Sequence, residues 1–536
     1  MEKSIRNNRI IWILFACSLA FYIWMAAQIP YCHDDWDWGL PIGIQQLLTA
    51  SLNSRYAGNL IEVVLTRSLF LKDLTMGLVL AFLPLSAAVL VTRVFYGTGW
   101  KTHLLFPVLL GNILMLTVPL NIWQQTFGWV AGFSNFVVSA LLLVFWQLLV
   151  IRFQNAEKAT PMQLMLLFLF GAVMQLFLEN VTVYVMAVTT FFCVSPLRRK
   201  QWKHPLFSLW FGNLLGTVIM FSSSIYGTLM TTGTAVDGYR ALSFDRGENP
   251  FVVLFRFFRR FVILYPNLLW IKNTVLCCTI LVFLILLHLA GRKQRLRLLW
   301  CTIDVFFFCY TLCYRFFGEI RLPSQWWTNV LSAFLAILFF LAVLVQTLKM
   351  FIDRKPLRNV LLFCWISAPA VIVPMIVITS IGPRSFLTSD LFLAEFAMLL
   401  AIIYMDETEQ PVNKGITAVL ALVLGVLWIR FGIVYAEIGA TDRRRLQEIH
   451  AARNGMADSL LLERFPNGEY LWQTDPNYEE KERIRFYREF YQIPDSVDLW
   501  FEYWGDRKER EDGEEHAVMD QDNSFSDGSD QHASDS

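Results

Sequence analysis

Charge is scarce in this chain of 536 residues: Asp, Glu, Lys and Arg make up 17% of it, where a soluble protein carries about 25%. The charge-free stretches run to roughly 17–25 apolar residues, the length a helix needs to cross a ~30 Å hydrocarbon core. A water-soluble fold is thereby set aside in favour of a multi-pass helical membrane protein. Cysteine is nearly missing from the loops. Eight of nine (Cys17, Cys193, Cys277, Cys278, Cys301, Cys309, Cys313 and Cys364) lie in apolar runs and only Cys32 does not. That leaves no disulfide framework and no metal-ligand spacing, and reads as small buried hydrophobes. There is no G-x-x-x-x-G-K-[ST], no G-x-G-x-x-G after a strand, no H-E-x-x-H and no C-x-x-C, which removes nucleotide, zinc-protease and dithiol chemistry. Asp304 stands nearly alone in mid-span, where a proton-coupled pump would show a chain of acids and bases. The basic runs are short turns between spans, so no nucleic-acid partner is expected. No repeat of roughly 20–50 residues argues for a transporter built from two similar halves.

What is present is a regular alternation. Apolar segments fall at 10–30, 74–93, 103–120, 133–153, 162–178, 180–195, 205–225, 262–290, 298–314, 329–348, 359–381, 389–405 and 415–435, about thirteen spans in all. The first follows a short basic stretch, is too long for a signal-peptide core and lacks a small-residue cleavage site, so it reads as an uncleaved span. With Lys3, Arg6 and Arg9 in the cytoplasm, alternation also puts Arg93/Lys101 and Arg152/Lys158 there. The three densest basic clusters, Arg198-Arg199-Lys200/Lys203, Arg292-Lys293/Arg295/Arg297 and Arg354-Lys355/Arg358, fall on the same side, as the positive-inside rule requires. The long segments 31–73, 121–132, 226–261, 315–328 and 382–388 then share the outer face with everything after residue 435. Three units follow: a membrane domain over 1–435, a small extracytoplasmic unit over 436–504 and an acidic tail over 505–536. In the second, 441–454 has a capping residue and helical spacing, Ser459–Glu463 and 497–503 are strand-like, and 478–491 reads as a helix. The tail is rich in Ser, Gly and acids and is expected to be disordered.

Directly after the first span stands Tyr31-Cys32-His33-Asp34-Asp35-Trp36-Asp37-Trp38-Gly39. Asp34, Asp35 and Asp37 do not belong in hydrocarbon, so they mark the membrane–water boundary or a polar cavity. A carboxylate there can act as general base toward an acceptor hydroxyl. Two adjacent ones can instead share a divalent cation, for which oxygen ligands suit magnesium or manganese. Trp36 and Trp38 offer flat faces to a sugar ring. The alternative for this loop is an aromatic belt with solvated acids. A surface helix is expected over 40–52. Beyond it, in Asn53-Ser54-Arg55-Tyr56-Ala57-Gly58-Asn59, Arg55 presents a fork of donors suited to phosphate. On the same face fall Asn121 to Gln125 with Gly128-Trp129, the Glu179-Asn180 pair, Tyr239-Arg240, Asp245-Arg246, Arg256/Arg259/Arg260, Arg315, Glu319, Arg321 and Arg384. Arginines facing acids at one surface are what a phosphate-bearing donor requires, cations for the phosphate and an acid for the acceptor. Ordinary salt bridging is the alternative for each residue outside the first loop.

A first span, an acidic loop, a surface helix, some dozen further spans and a soluble C-terminal unit resemble the GT-C superfamily of integral membrane glycosyltransferases. More narrowly, four runs look like an uncharacterised bacterial family likened to the O-antigen glucosyltransferases that use lipid-linked sugars. They are His33-Asp34-Asp35-Trp36-Asp37-Trp38-Gly39, the Asn53 to Asn59 run, Phe127-Gly128-Trp129-Val130-Ala131-Gly132-Phe133-Ser134-Asn135 and Gly382-Pro383-Arg384. The resemblance implies an all-α polytopic, GT-C-like fold with a small α/β C-terminal unit in the bacterial inner or plasma membrane. It implies transfer of a sugar from a polyprenyl-phosphate-linked donor to an envelope glycan or lipid acceptor. Asp34 or Asp35 would be the catalytic acid, or hold Mg2+ or Mn2+ if the reaction uses a metal. Trp36, Asp37, Trp38, Arg55, Tyr56, Asn59, Trp129, Glu179, Asn180, Arg315, Arg321 and Arg384 are the expected substrate-binding residues. Two other functions stay open, a transporter or flippase for a lipid-linked or polar solute and a non-catalytic assembly protein for envelope polysaccharide. The charge alternation predicts that alkaline phosphatase fused after residue 504 is active in cells and that β-galactosidase fused there is not; the reverse pattern contradicts the assigned sidedness.

Overall fold

A computed structural model describes residues 2–156, 158–201, 203–235, 240–245, 247–264, 273–290, 296–318, 322–378, 381–408, 410–476 and 480–502. The expected disordered tail, Glu319 and Arg321 lie outside them. Among the described residues nine helices are long and apolar enough to cross a membrane, or eleven when two bent pairs each count as one span. Every apolar segment of the sequence holds a helix. The two that fall short are Pro161–Met174 and Thr274–Ala290, of 14 and 17 residues.

The bends have local causes. Leu105–Leu116 gives way to Leu120–Thr126 at an angle of 91°. Pro119 sits in the break with no N–H to continue the ladder, and it drives the residue before it out of helical space. The chain then turns through Trp129 into Val130–Gly132, a π-helical turn at Phe133–Val137 and the helix Val138–Phe153. The second break, 59° between Pro205–Phe221 and Ser224–Thr232, falls at Ser223, whose hydroxyl accepts the Ile225 N–H.

The centre of the bundle is Leu387–Glu407, in which every residue from 387 to 403 is buried except Ala394. Two acids on it correct the expectation that Asp304 stands nearly alone, since Asp390 is 5% and Glu395 0% exposed. Burying a carboxyl is costly unless it is hydrogen-bonded, and side-chain amides supply the partners. Gln147 Nε2 donates to Glu395 Oε1 at 2.8 Å, and Gln346 Nε2 donates to Asp304 Oδ1 at 2.8 Å while its own Oε1 lies 2.7 Å from His288 Nε2.

The last span belongs to a helix of 44 residues, Gln410–Arg453. At 1.5 Å per residue it is about 66 Å long, twice a bilayer core. The expected boundary at 435/436 therefore lies inside a continuous helix that runs from the bundle into the C-terminal unit. It is pinned to the end of the first helix where Arg443 Nη1 donates to Gln28 Oε1 at 2.9 Å. Beyond it, Ser459–Glu463 pairs in parallel with Asp498–Glu502. A parallel pair needs a crossover, which Lys481–Tyr491 provides. The unit closes around Arg445, 2% exposed, which donates to Asp475 Oδ1 (2.9 Å) and the Tyr487 hydroxyl (3.0 Å) beneath the Phe465 ring.

One residue of that core is supplied from far away. Trp36 packs with Ile449, Leu460, Leu462, Tyr487 and Leu499, its ring edge-on to Tyr487 at 5.0 Å. Truncating a buried Trp to Ala typically costs about 3–5 kcal/mol. Trp36→Ala should therefore loosen a unit roughly 400 residues downstream, seen as rapid tryptic cleavage between Arg453 and Arg488 in detergent. Unchanged cleavage would show that the loop and the unit fold independently.

Candidate functional site

The acidic loop is fixed by main-chain partners. Lys72, 1% exposed, donates to the carbonyls of Ala26 (3.2 Å) and Ile29 (2.5 Å) and so closes the end of Glu2–Ala27, the favoured place for a cation on a helix. Asp35, with no exposed surface, is the staple of the loop. Its Oδ2 accepts the Cys32 N–H and its Oδ1 the Ala131 N–H, both at 2.9 Å. Trp129 Nε1 donates to the Cys32 carbonyl at 3.2 Å, and Trp36 Nε1 to that of Tyr31 at 3.1 Å. Burial pushes the Asp35 carboxyl up to about 8 against the pull of the two N–H groups, with Asp34 adding to the rise.

Asp34 is the accessible acid, its side chain 30% exposed. Its Oδ1 lies 2.7 Å from His33 Nδ1 and 2.7 Å from Nη2 of Arg483, on the crossover helix of the C-terminal unit. The other arm of Arg483 donates to Asp37 Oδ1 at 3.2 Å. Burial would raise the Asp34 carboxyl, but His33, Arg483 and Arg384 together hold it well below the usual carboxylate range. At Asp37 burial and Asp34 outweigh Arg483 and push the group up to about 7.

Two expected arginines converge on one ring. The Arg55 guanidinium lies 5.5 Å and that of Arg384 5.6 Å from the Phe136 centroid, and Arg384 is also 5.5 Å from the Trp129 ring. Phe136 sits in the π-helical turn, a distortion frequent at functional sites. Arg55 forks onto Glu179 Oε2 through Nε (3.0 Å) and Nη2 (2.9 Å), and the Tyr226 hydroxyl donates to Glu179 Oε1 at 3.2 Å. Tyr56 opens the helix Tyr56–Leu65. Asn59 donates to Asn53 Oδ1 at 2.8 Å. Gly58 packs closely, since a Cβ there would overlap Asn135 Oδ1 and displace that amide. At Gly128 a Cβ would overlap the main-chain carbonyl of Tyr470, so glycine is required where the C-terminal unit is seated on the turn that leads to Trp129.

Other expected residues stand differently. Trp36 and Trp38 are 1% and 3% exposed, so neither offers a face to a sugar. The first fills the C-terminal core, and the carbonyl of the second accepts Arg67 Nη1 at 2.8 Å. Asn180 is spent on the Val371 carbonyl at 3.1 Å. Arg315 is exposed in the last turn of Arg297–Phe317, and no hydrogen bond or ion pair among the described residues ties it to the loop. Nor do Asp34 and Asp35 fit a shared cation: both Asp35 oxygens hold main-chain N–H groups and Asp34 is ion-paired. Among the described residues no three His, Cys, Asp or Glu side chains gather as metal ligands.

Sequence reasoning missed four participants. His33 and Trp472 stand beside the loop, their rings 6.4 Å apart, and Trp472 is 6.2 Å from Trp129. Arg483 is one of several cations on a charged helix. Glu62 left a readable sign, an acid within Leu60-Ile61-Glu62-Val63-Val64-Leu65. It is 1% exposed, its Oε1 has no partner among the described residues, and burial with Asp35, Asp34 and Asp37 pushes it well above its usual range. Comparison of the chain with protein-family models, characterised proteins and solved structures finds no match.

The raised carboxyls have a pH consequence. Asp35 at about 8 and Asp37 at about 7, against 3.8 when unfolded, keep protons that the unfolded chain has released. Their stabilisation is complete below 3.8 and falls away as pH rises toward 7 and 8; Asp34, held low, acts with the opposite sign and only in acid. In Asp35→Asn one N–H loses its acceptor, at a cost of about 1–3 kcal/mol. Thermal melting should show the wild-type advantage over Asp35→Asn largest at about pH 4 and below and shrinking toward about pH 9. A constant gap contradicts the assigned protonation.

Proposed function

We propose that the protein is a membrane glycosyltransferase of GT-C type, which moves a sugar from a polyprenyl-phosphate-linked donor to an envelope glycan or lipid acceptor. The reaction takes place at the extracytoplasmic face of a bacterial inner or plasma membrane. The observation that carries this reading is the placement of one accessible carboxylate, Asp34, within the field of Arg384 beside an aromatic rim. An acid for the acceptor and a cation for the phosphate then stand near one another. The acceptor hydroxyl docks at Asp34, which orients it or relieves it of its proton. It attacks the anomeric carbon while the bond to the donor phosphate breaks, and Arg384 meets the charge growing on the departing phosphate. One displacement inverts the anomeric centre. Arg55, forked onto Glu179, walls the site rather than leading the phosphate contact. Trp472 and His33 face the sugar with Trp129 behind them, and Asp35 and Asp37 hold the loop.

A second reading draws on the buried acids of the bundle. Asp390 and Glu395 on the central helix are residues a transporter of a lipid-linked or polar solute would use, since intramembrane ionisable groups mark transport paths. Each has an amide neighbour, which favours a structural role.

Purified protein given radiolabelled polyprenyl-phosphate sugars and a membrane or polysaccharide acceptor tests the proposal. Loss of a positioned proton-transfer group costs about 10²–10⁴-fold, and of one charge-stabilising donor about 10²–10³-fold. Asp34→Asn and Arg384→Ala should lose transfer on these scales, and undiminished transfer in both would remove the loop from the mechanism.

A further inference from the structure

We propose that His33 is the group that takes the proton from the acceptor hydroxyl, with Asp34 holding its ring in place; this rests on the transferase reading above. Nδ1 of His33 lies 2.7 Å from Asp34 Oδ1, close enough for an ion pair but out of line for a hydrogen bond, a misalignment common in catalytic pairs before substrate binds; its side chain is 23% exposed, and among the described residues neither ring nitrogen makes a hydrogen bond. The ring stands edge-on to Trp129, centroids 5.9 Å apart at 87°, and lies 6.4 Å from Trp472. One nitrogen is thus turned to a carboxylate and the other is left for a substrate, the order in which a base and its orienting acid are arranged in hydrolytic triads.

Backbone and charge support the assignment. His33 has φ +48°, in the left-handed region that few non-glycine residues enter, and such conformations cluster at functional sites. Asp34 is better suited to orienting than to accepting a proton. Arg483, from the crossover helix, contacts it at 2.7 Å, and Arg384, from the turn Pro383–Phe386, lies in its field. Two guanidiniums lower the basicity of a carboxylate while leaving it 2.7 Å from the imidazole. Imidazole is the commonest general base in enzymes.

The step balances. The hydroxyl proton moves to Nε2 while Nδ1 keeps its own proton toward Asp34. The freed oxygen pair forms the bond to the anomeric carbon, and the bond from that carbon to the phosphate oxygen breaks with its pair leaving on the phosphate. The imidazolium then returns its proton to water.

The positive φ dictates the test. His33→Gly and His33→Asn both tolerate left-handed backbone and keep the loop, whereas Ala would strain it. Each should lower kcat by about 10²-fold or more, with KM for the polyprenyl-phosphate sugar within about threefold of wild type. Added imidazole, entering the space that glycine leaves, should restore His33→Gly by about tenfold or more and leave His33→Asn unchanged. Transfer by both variants close to the wild-type rate would overturn the inference and leave the transferase reading standing. So would loss in both without rescue, and so would loss of wild-type transfer on chelation, which would assign Asp34 to a cation. A wild-type protein that transfers no sugar from these donors would remove both readings.

Discussion

Asp35 is the constraint on which this end of the molecule depends. One carboxyl group, fully withdrawn from water, takes the N–H of Cys32 with one oxygen and the N–H of Ala131 with the other. It thereby sets the acidic loop against the turn that opens Val130–Phe153. Once that pair of bonds is made, the next residues of a short helix have no freedom left. About 100° of rotation per residue sends Trp36 into the C-terminal core and leaves Asp34 at the surface beside His33 and Arg483. The bond to Ala131 also brings in Trp129, whose indole donates to the same loop and underlies Arg384. An unpaired buried carboxylate would be intolerable here; a hydrogen-bonded one, pushed toward neutrality, is a fixed joint.

The C-terminal unit is part of the same construction. It is carried on a helix that continues out of the bundle without a break, it is seated by Gly128 against Tyr470, and its core is completed by Trp36. Arg483 then reaches back to two of the three loop acids. A unit that shares its core and its charges with a loop near residue 35 cannot shift without disturbing that loop, so any opening of the rim to a substrate has to move them together.

Much of this was legible from the chain alone, and the reasons it was are physical. Hydrocarbon excludes charge, so the gaps between charges marked each apolar helix. Three acids after the first of them stood out because nothing in a simple turn requires them. The sequence could not separate Asp34 from Asp35, because adjacent residues of one type differ only in which way the helix points them. It could not place Trp36, because an indole serves a core and a sugar face equally well. Arg483 was hidden among Glu480, Arg485 and Arg488, a pattern that any solvated helix would show. The boundary expected at 435/436 falls inside a helix because no proline halts the last span, and the helix simply continues. Glu62 leaves a legible sign too, an acid in the apolar helix Tyr56–Leu65.

The most direct test of the central claim follows the donor itself. Wild-type protein in sealed vesicles, given a polyprenyl-phosphate sugar labelled in the sugar and an acceptor on the outside, is extracted into lipid and acceptor fractions. The transferase account predicts that label leaves the lipid fraction, joins the acceptor and is matched by an equal amount of free polyprenyl phosphate. Label that stays on its lipid and only changes leaflet would contradict that account and assign the acidic loop to transport.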